Sequence, residues 1–177
     1  DVMRQPVAAY LDEDRWRHEV DRIFKRLPLA LALGSELPGA NTYKALDVMG
    51  VPVLLTRGAD GVARAFLNVC RHRGAPLCEP GCGETRRFTC PYHAWVYDPA
   101  GDLVGMFGAD TFGDVDREAL ALQPLAAAER AGFVWVCLTP GVGFDIDGYL
   151  GDFAGLLGEL ELDRWHVYEQ RELVGPG

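Results

Sequence analysis

No stretch of this sequence approaches the roughly 18 consecutive apolar residues that a membrane-spanning helix requires, so no helical span is expected. The opening Asp-Val-Met-Arg-Gln-Pro lacks the charged-then-apolar pattern of a secretory signal. Basic residues are in short supply: 17 Lys and Arg stand against 26 Asp and Glu, and the net charge is −9. Such a surface repels nucleic acid, which excludes a nucleic-acid partner. An even cysteine count is also missing. There are five cysteines, two of them beside histidines. This disfavours a disulfide framework and points to thiols used as ligands in a reducing, cytoplasmic compartment. There is no internal repeat and no low-complexity segment.

What remains is ordinary globular material. The 177 residues are 49% apolar and 24% charged, enough for one domain with a real core. The sequence opens without Met and closes on Leu173-Val174-Gly175-Pro176-Gly177 with no closing element, so it reads as a fragment of a longer protein.

Residues 12–27 read as a helix. Trp16, Val20, Ile23, Phe24 and Leu27 share one face, Asp12 is the N-cap, and Pro28 marks the stop. Arg15, Arg17, Arg22, Lys25 and Arg26 make a solvated outer face. From about 29 to 138 short apolar runs alternate with Gly- and Pro-containing turns. The runs are Leu29–Leu33, Val51–Thr56, Val62–Val69, Arg87–Cys90, Ala94–Tyr97 and Gly132–Leu138. The pattern predicts a small, mainly β unit. A second helix is expected over about 147–160, with Tyr149, Phe153, Leu156, Leu157 and Leu160 on one face, although Gly151, Gly155 and Gly158 weaken it. A last strand is expected from Trp165 to Val174. The organisation follows: an N-terminal helical segment over 1–28, the β domain over 29–140, and a helix-strand extension over 141–177.

The chemistry lies in Cys70-Arg71-His72-Arg73-Gly74 and Cys90-Pro91-Tyr92-His93-Ala94-Trp95. Written as spacing this is C-x-H, seventeen residues, C-x-x-H. Each half offers one thiolate and one imidazole on a tight turn, and two such turns facing each other can enclose a small metal centre. A Cys₂His₂ zinc site, stabilising an interaction module, is one reading. Zinc fingers usually pair Cys with Cys and His with His, however. Here each loop supplies one of each, so both thiolates can go to one iron and both imidazoles to another, the ligation of a Rieske [2Fe–2S] cluster. Neutral imidazoles leave the site less negative than four thiolates would, which raises the reduction potential. They also make that potential sensitive to pH.

C-R-H-R-G-A-P-L and F-T-C-P-Y-H-A-W-V-Y-D-P-A-G closely resemble the Rieske domain of ring-hydroxylating, Rieske non-haem iron oxygenase α subunits. The resemblance implies a fold of small antiparallel sheets, with Cys70 and Cys90 on one iron and His72 and His93 on the other. It implies electron transfer from a ferredoxin or flavin reductase to a mononuclear Fe(II), in a parent protein that hydroxylates or demethylates a small, typically aromatic substrate and forms a homo-oligomer. That iron needs two histidines and a carboxylate. Only His18 and His166 stand outside the cluster motif, so no catalytic residue is assigned and the oxygen-activating site is expected in a missing domain. A stand-alone Rieske electron carrier is the other electron-transfer reading. Respiratory Rieske proteins fit less well. They carry a disulfide where Ala75 and Tyr92 stand here, and a serine where Trp95 stands. Without that hydroxyl the potential is expected toward the lower end of the Rieske range.

Other residues receive modest roles. Cys78 and Cys82 are loop thiols without a function, and Cys137 is a buried core thiol. Trp95 and Tyr97 pack beside the cluster, Gly74 allows the first loop to turn tightly, and Pro91 stiffens the second. Arg71, Arg73, Arg86 and Arg87 could form a docking patch for an acidic electron donor.

Overall fold

The computed structural model describes residues 4–169, 171, 173 and 175. Eleven short strands dominate it: β1 (Leu29–Leu33), β2 (Thr42–Val48), β3 (Val51–Arg57), β4 (Ala63–Leu67), β5 (Gly81–Glu84), β6 (Phe88–Thr89), β7 (Val96–Tyr97), β8 (Leu103–Gly105), β9 (Pro124–Leu125), β10 (Ala127–Arg130) and β11 (Phe133–Val136). They form three antiparallel sheets: five-stranded β5-β2-β3-β4-β9, three-stranded β1-β11-β10, and three-stranded β6-β7-β8. The expected mainly β architecture is the observed one.

β3 sits at the centre of the large sheet and is covered on both faces. Side chains alternate across a strand. Val53 and Leu55 therefore join Val134, Val136 and Leu125 in one apolar cluster. Leu54, between them, points the other way and joins Phe66, Phe88, Trp95, Tyr97 and Leu103. That second cluster also contains Cys70 and Cys90 and forms the floor beneath the two Cys–His loops. Thr56, also on β3 and fully buried, donates its hydroxyl to Pro99 O at 2.7 Å, tying the β7–β8 turn to the large sheet.

Several expectations change. β2 escaped the pattern reading because Lys44 interrupts its apolar face. Lys44 is half-buried nonetheless, since its ammonium meets Glu36 at 2.6 Å. The N-terminal helix is not one regular cylinder. It comprises α1 (Ala8–Leu11), α2 (Glu13–Glu19) and a wider π turn over Val20–Phe24. Asp12 caps α2 as expected, accepting from the Asp14 and Arg15 N–H groups at 3.0 Å. The helix end is held by the β domain: Thr139 donates to Lys25 O at 2.6 Å, and the Cys137 thiol lies 3.5 Å from the Lys25 and Arg26 carbonyls. Cys137 is fully buried, as expected, and also satisfies carbonyls that the helix end leaves unpaired.

Among the described residues, the extension over 141–177 is not a helix followed by a strand. Gly151 adopts φ +50 and splits the helix into α3 (Ile146–Leu150) and α4 (Phe153–Gly158). Only Leu150 of these two is buried; Tyr149, Phe153 and Leu156 face outward. Residues 165–169, where the last strand should begin, are irregular, while 170, 172 and 174 of that expected strand lie outside the described residues. No helix among the described residues is long and apolar enough to cross a membrane.

Gly101 closes the β7–β8 turn at φ +91, and a methyl group there would drive into the Phe66 ring. Gly101→Ala adds left-handed strain to that collision. It is expected to destabilise the fold by on the order of 3 kcal/mol in chemical denaturation.

Candidate metal centre

The two ligand loops are built alike. In the first, Cys70 N–H donates to Ala75 O at 2.8 Å and Gly74 N–H to Cys70 O at 2.9 Å. In the second, Cys90 N–H donates to Trp95 O at 2.7 Å and Ala94 N–H to Cys90 O at 3.0 Å. Each loop closes on itself within six residues, and each needs a left-handed residue in the fifth position. Gly74 takes φ +75 there at no steric cost, as expected. Ala94 takes φ +53, a conformation that an alanine adopts only when its surroundings impose it.

Asn68 clamps the first loop at its base. Its side-chain oxygen accepts from the Leu77 and Cys78 N–H groups at 3.1 and 3.4 Å, and its amide donates to Cys78 O at 2.7 Å. Sequence reasoning missed this residue; its signal, a polar side chain just after β4 on the way into the loop, was visible only as an interruption. β6 and β7 pair directly below the second loop, with Thr89 opposite Val96, and so fix its two stems.

The structure brings Cys70, His72, Cys90 and His93 together in two pairs. Cys70 and Cys90, 2% and 3% exposed, are buried together in the apolar cluster beneath the loops. The His72 and His93 rings lie toward the surface with centroids 4.7 Å apart. Both Nδ1 atoms are buried and have no hydrogen-bond partner among the described residues. A buried ring nitrogen is rarely left orphaned, so each is suited to a metal bond. No three metal-binding side chains among the described residues gather tightly enough for one ion. Paired donors suit two metal atoms better than the single tetrahedral ion of a zinc site. Burial pushes the Cys70 thiol above its ordinary range. Burial, with the charges of His72 and Arg73, pushes His93 down and so favours its neutral imidazole. A neutral imidazole is the form that ligates.

Outside the centre the remaining candidates separate clearly. Cys82 is exposed on β5, whereas burial pushes the Cys78 thiol up to about 11. His18 is exposed on α2 with its Nδ1 2.8 Å from Asp14 O, and His166 is exposed near the tail. The two do not join the centre. Arg71, Arg73, Arg86 and Arg87 are exposed, and none pairs with a carboxylate among the described residues.

A family model for the Rieske [2Fe–2S] domain matches residues 28–112. The chain carries a Rieske [2Fe–2S] domain. The Rieske domain is an electron-transfer module whose cofactor is a [2Fe–2S] cluster, and the four donors described above fit such a group. The chain is 36% identical over 136 residues to the carnitine monooxygenase oxygenase subunit of Escherichia coli (strain K12), covering 76% of this chain and 36% of that protein. It is 35% identical over 153 residues to the chlorobenzene dioxygenase α subunit of Cupriavidus sp. (strain PS12), covering 84% and 33%. The solved structure of the quaternary ammonium Rieske monooxygenase CntA with L-carnitine superposes with a TM-score of 0.80 at 35% identity, over 87% of this chain and 44% of that one. The chain thus spans about a third of the length of the curated relatives it matches, and the part it spans is their Rieske part.

The Rieske domain contains a hydroxyl that the motif spacing did not foretell. Trp95 stands where respiratory Rieske proteins carry a serine, but the buried Tyr97 hydroxyl lies 3.6 Å from Cys70 Sγ. It already accepts from Arg71 N–H at 3.1 Å, so its own proton is free for the sulfur. Burial and the neighbouring thiol push its ionisation above the ordinary tyrosine range, so it stays a donor. The expectation of a low potential, argued from the absence of a hydroxyl, loses that premise. Tyr97→Phe removes a donor that favours the more negative, reduced state. The midpoint potential should fall by on the order of 50 mV, about 1 kcal/mol in a one-electron couple, as read by protein-film voltammetry.

Proposed function

We propose that Cys70 and Cys90 ligate one iron of the cluster and His72 and His93 the other, and that the chain relays single electrons within an oxygenase subunit. The observation that carries the reading is the pairing itself: two buried thiols on the core side, and two imidazoles with orphaned Nδ1 atoms on the surface side. The bound cluster supplies a one-electron acceptor and donor. The residues do the rest. The thiols and Tyr97 would hold the group from the core side, where the apolar floor of Leu77, Trp95 and Leu103 excludes water. The imidazoles would hold it from the surface side; they lie at a depression of about 560 Å³ lined by Tyr92, Phe107 and Phe112, where a redox partner can approach.

In the parent protein the segments over 1–28 and 141–177 flank a Rieske unit of 29–140, and a separate catalytic domain holds the mononuclear iron. The reaction is hydroxylation or demethylation of a small organic molecule. The identity to a carnitine monooxygenase and to a chlorobenzene dioxygenase is nearly equal, 36% and 35%. Choice of substrate, aromatic or quaternary ammonium, therefore belongs to the catalytic domain. The electron donor is an acidic ferredoxin or flavin reductase. Arg71, Arg73, Arg86 and Arg87 attract it, because they are exposed and without a carboxylate partner among the described residues, on a chain of net charge −9. The reducing cytoplasm is the compartment that keeps all five thiols free.

The ligand assignment is tested on cluster-loaded protein. Cys70→Ser and Cys90→Ser should lose most iron and acid-labile sulfide; full retention in either would sink the assignment. His72→Cys and His93→Cys add negative charge, and any cluster that assembles should have a potential lower by roughly a few hundred millivolts. Low-temperature EPR of the dithionite-reduced protein should show the lowered average g of mixed His/Cys ligation, where zinc would be silent.

The donor patch is tested by reversing its charge. Replacing Arg71, Arg73, Arg86 and Arg87 by Glu should slow reduction by a ferredoxin at least about tenfold at low salt, and the difference should shrink as salt rises. Stopped-flow rates that are equal at every ionic strength would remove the patch from the proposal.

A further inference from the structure

Of the four buried side-chain polar atoms without a partner among the described residues, three lie at the metal centre: His72 Nδ1, His93 Nδ1 and Trp95 Nε1. Iron ligation accounts for the two histidines. It cannot account for the tryptophan, because an indole N–H carries no lone pair and can only donate. Trp95 is 3% exposed. Its donor is enclosed by its own chain, so a docking protein cannot supply the acceptor. The ring is also firmly placed. It stacks on His72 at 4.7 Å with the planes 11° apart, and Phe112 packs edge-on against both rings. Its own backbone carbonyl is already taken by Cys90 N–H. An unpaired buried donor is costly, and a rigid one cannot turn away to find a partner.

We propose that the Trp95 indole N–H donates a hydrogen bond to a bridging sulfide of the [2Fe–2S] cluster. The inference rests on the Rieske reading given above. The stack on His72 sets Trp95 beside the imidazoles, and its N–H has neither cysteine sulfur as a partner. The imidazole nitrogens are spent on iron, which leaves the sulfides between the two irons as the electron-rich acceptors within reach. Reduction adds negative charge to the core, so an N–H donated to sulfide stabilises the reduced state more than the oxidised one. Trp95 is then a positioning and tuning residue: it fixes the plane of His72 through the stack and raises the potential through its N–H. It does so from the position at which respiratory Rieske proteins carry a serine.

Trp95→Phe separates the two roles, because it keeps an aromatic ring on His72 and removes the donor. The cluster-loaded variant should retain Rieske-type EPR and show a more negative midpoint potential than the wild type. A second measurement needs no variant. Protein made with indole-¹⁵N tryptophan, dithionite-reduced, should show a ¹⁵N hyperfine coupling in pulsed EPR. Of the four tryptophans in the sequence only Trp95 stands beside the cluster loops. The same label in Trp95→Phe should give no coupling. An unchanged potential in the variant, or no ¹⁵N coupling in the wild type, overturns the hydrogen bond while leaving the cluster assignment intact. Absence of any Rieske-type signal in the wild type would instead overturn the cluster reading. If Trp95→Phe fails to take up the cluster, the wild-type coupling alone decides.

Discussion

Two backbone hydrogen bonds shape the metal centre, from Cys70 N–H to Ala75 O and from Cys90 N–H to Trp95 O. Each folds a cysteine and a histidine onto one tight loop, and the loops face each other across a space bounded by two thiols and two imidazoles. Such a set of donors has little reason to stay ordered without the cluster, because its polar atoms would be buried and unpaired. The surrounding fold supplies the missing rigidity. Asn68 clamps the base of the first loop, and the β6–β7 pair fixes the stems of the second. Thr56 reaches from the central strand to pin the next turn of the chain at Pro99.

The centre has a polarity that follows from this arrangement. The thiols point inward and share the apolar cluster with Leu54, Phe66 and Tyr97. The imidazoles point outward to a depression rimmed by exposed Tyr92 and Phe107. From within, the Tyr97 hydroxyl faces Cys70 Sγ. At the surface stand arginines that have no acidic partner among the described residues, one of which, Arg73, lies 5.4 Å over the Tyr92 ring. An inward end that is dry and an outward end that is apolar-rimmed and flanked by cations make an electron relay with a defined door.

The periphery is organised differently. The first helix pairs its charges within itself, Arg15 with Glu19, Arg17 with Glu13 and Lys25 with Asp21, and contributes little apolar area to the core. What binds it to the β domain is polar: the Thr139 hydroxyl and the Cys137 thiol on its last carbonyls. A thiol that pattern reading assigns to core packing serves also as a helix cap, because β11 delivers it beside the helix end.

The Cys–His loops at 70–72 and 90–93, the capping role of Asp12 and the tight turn at Gly74 were legible in the sequence, and so was the mainly β class, from the alternation of short apolar runs with turns. Each leaves a local signature, which spacing and residue type encode directly. What depended on remote partners was not legible. β2 hid behind Lys44, whose burial is tolerable only because Glu36 meets it. The Tyr97 hydroxyl finds Cys70 Sγ across 27 positions. The 141–177 extension carried an apolar stripe compatible with one helix, yet Gly151 turns at φ +50 and leaves most of that stripe exposed. By itself the sequence determined which atoms can hold a cluster, since ligand chemistry and loop closure are local. Only the tertiary structure decided which hydrogen-bond donors surround those atoms and which end of the centre faces out, because burial and long-range pairing belong to the packed sheets.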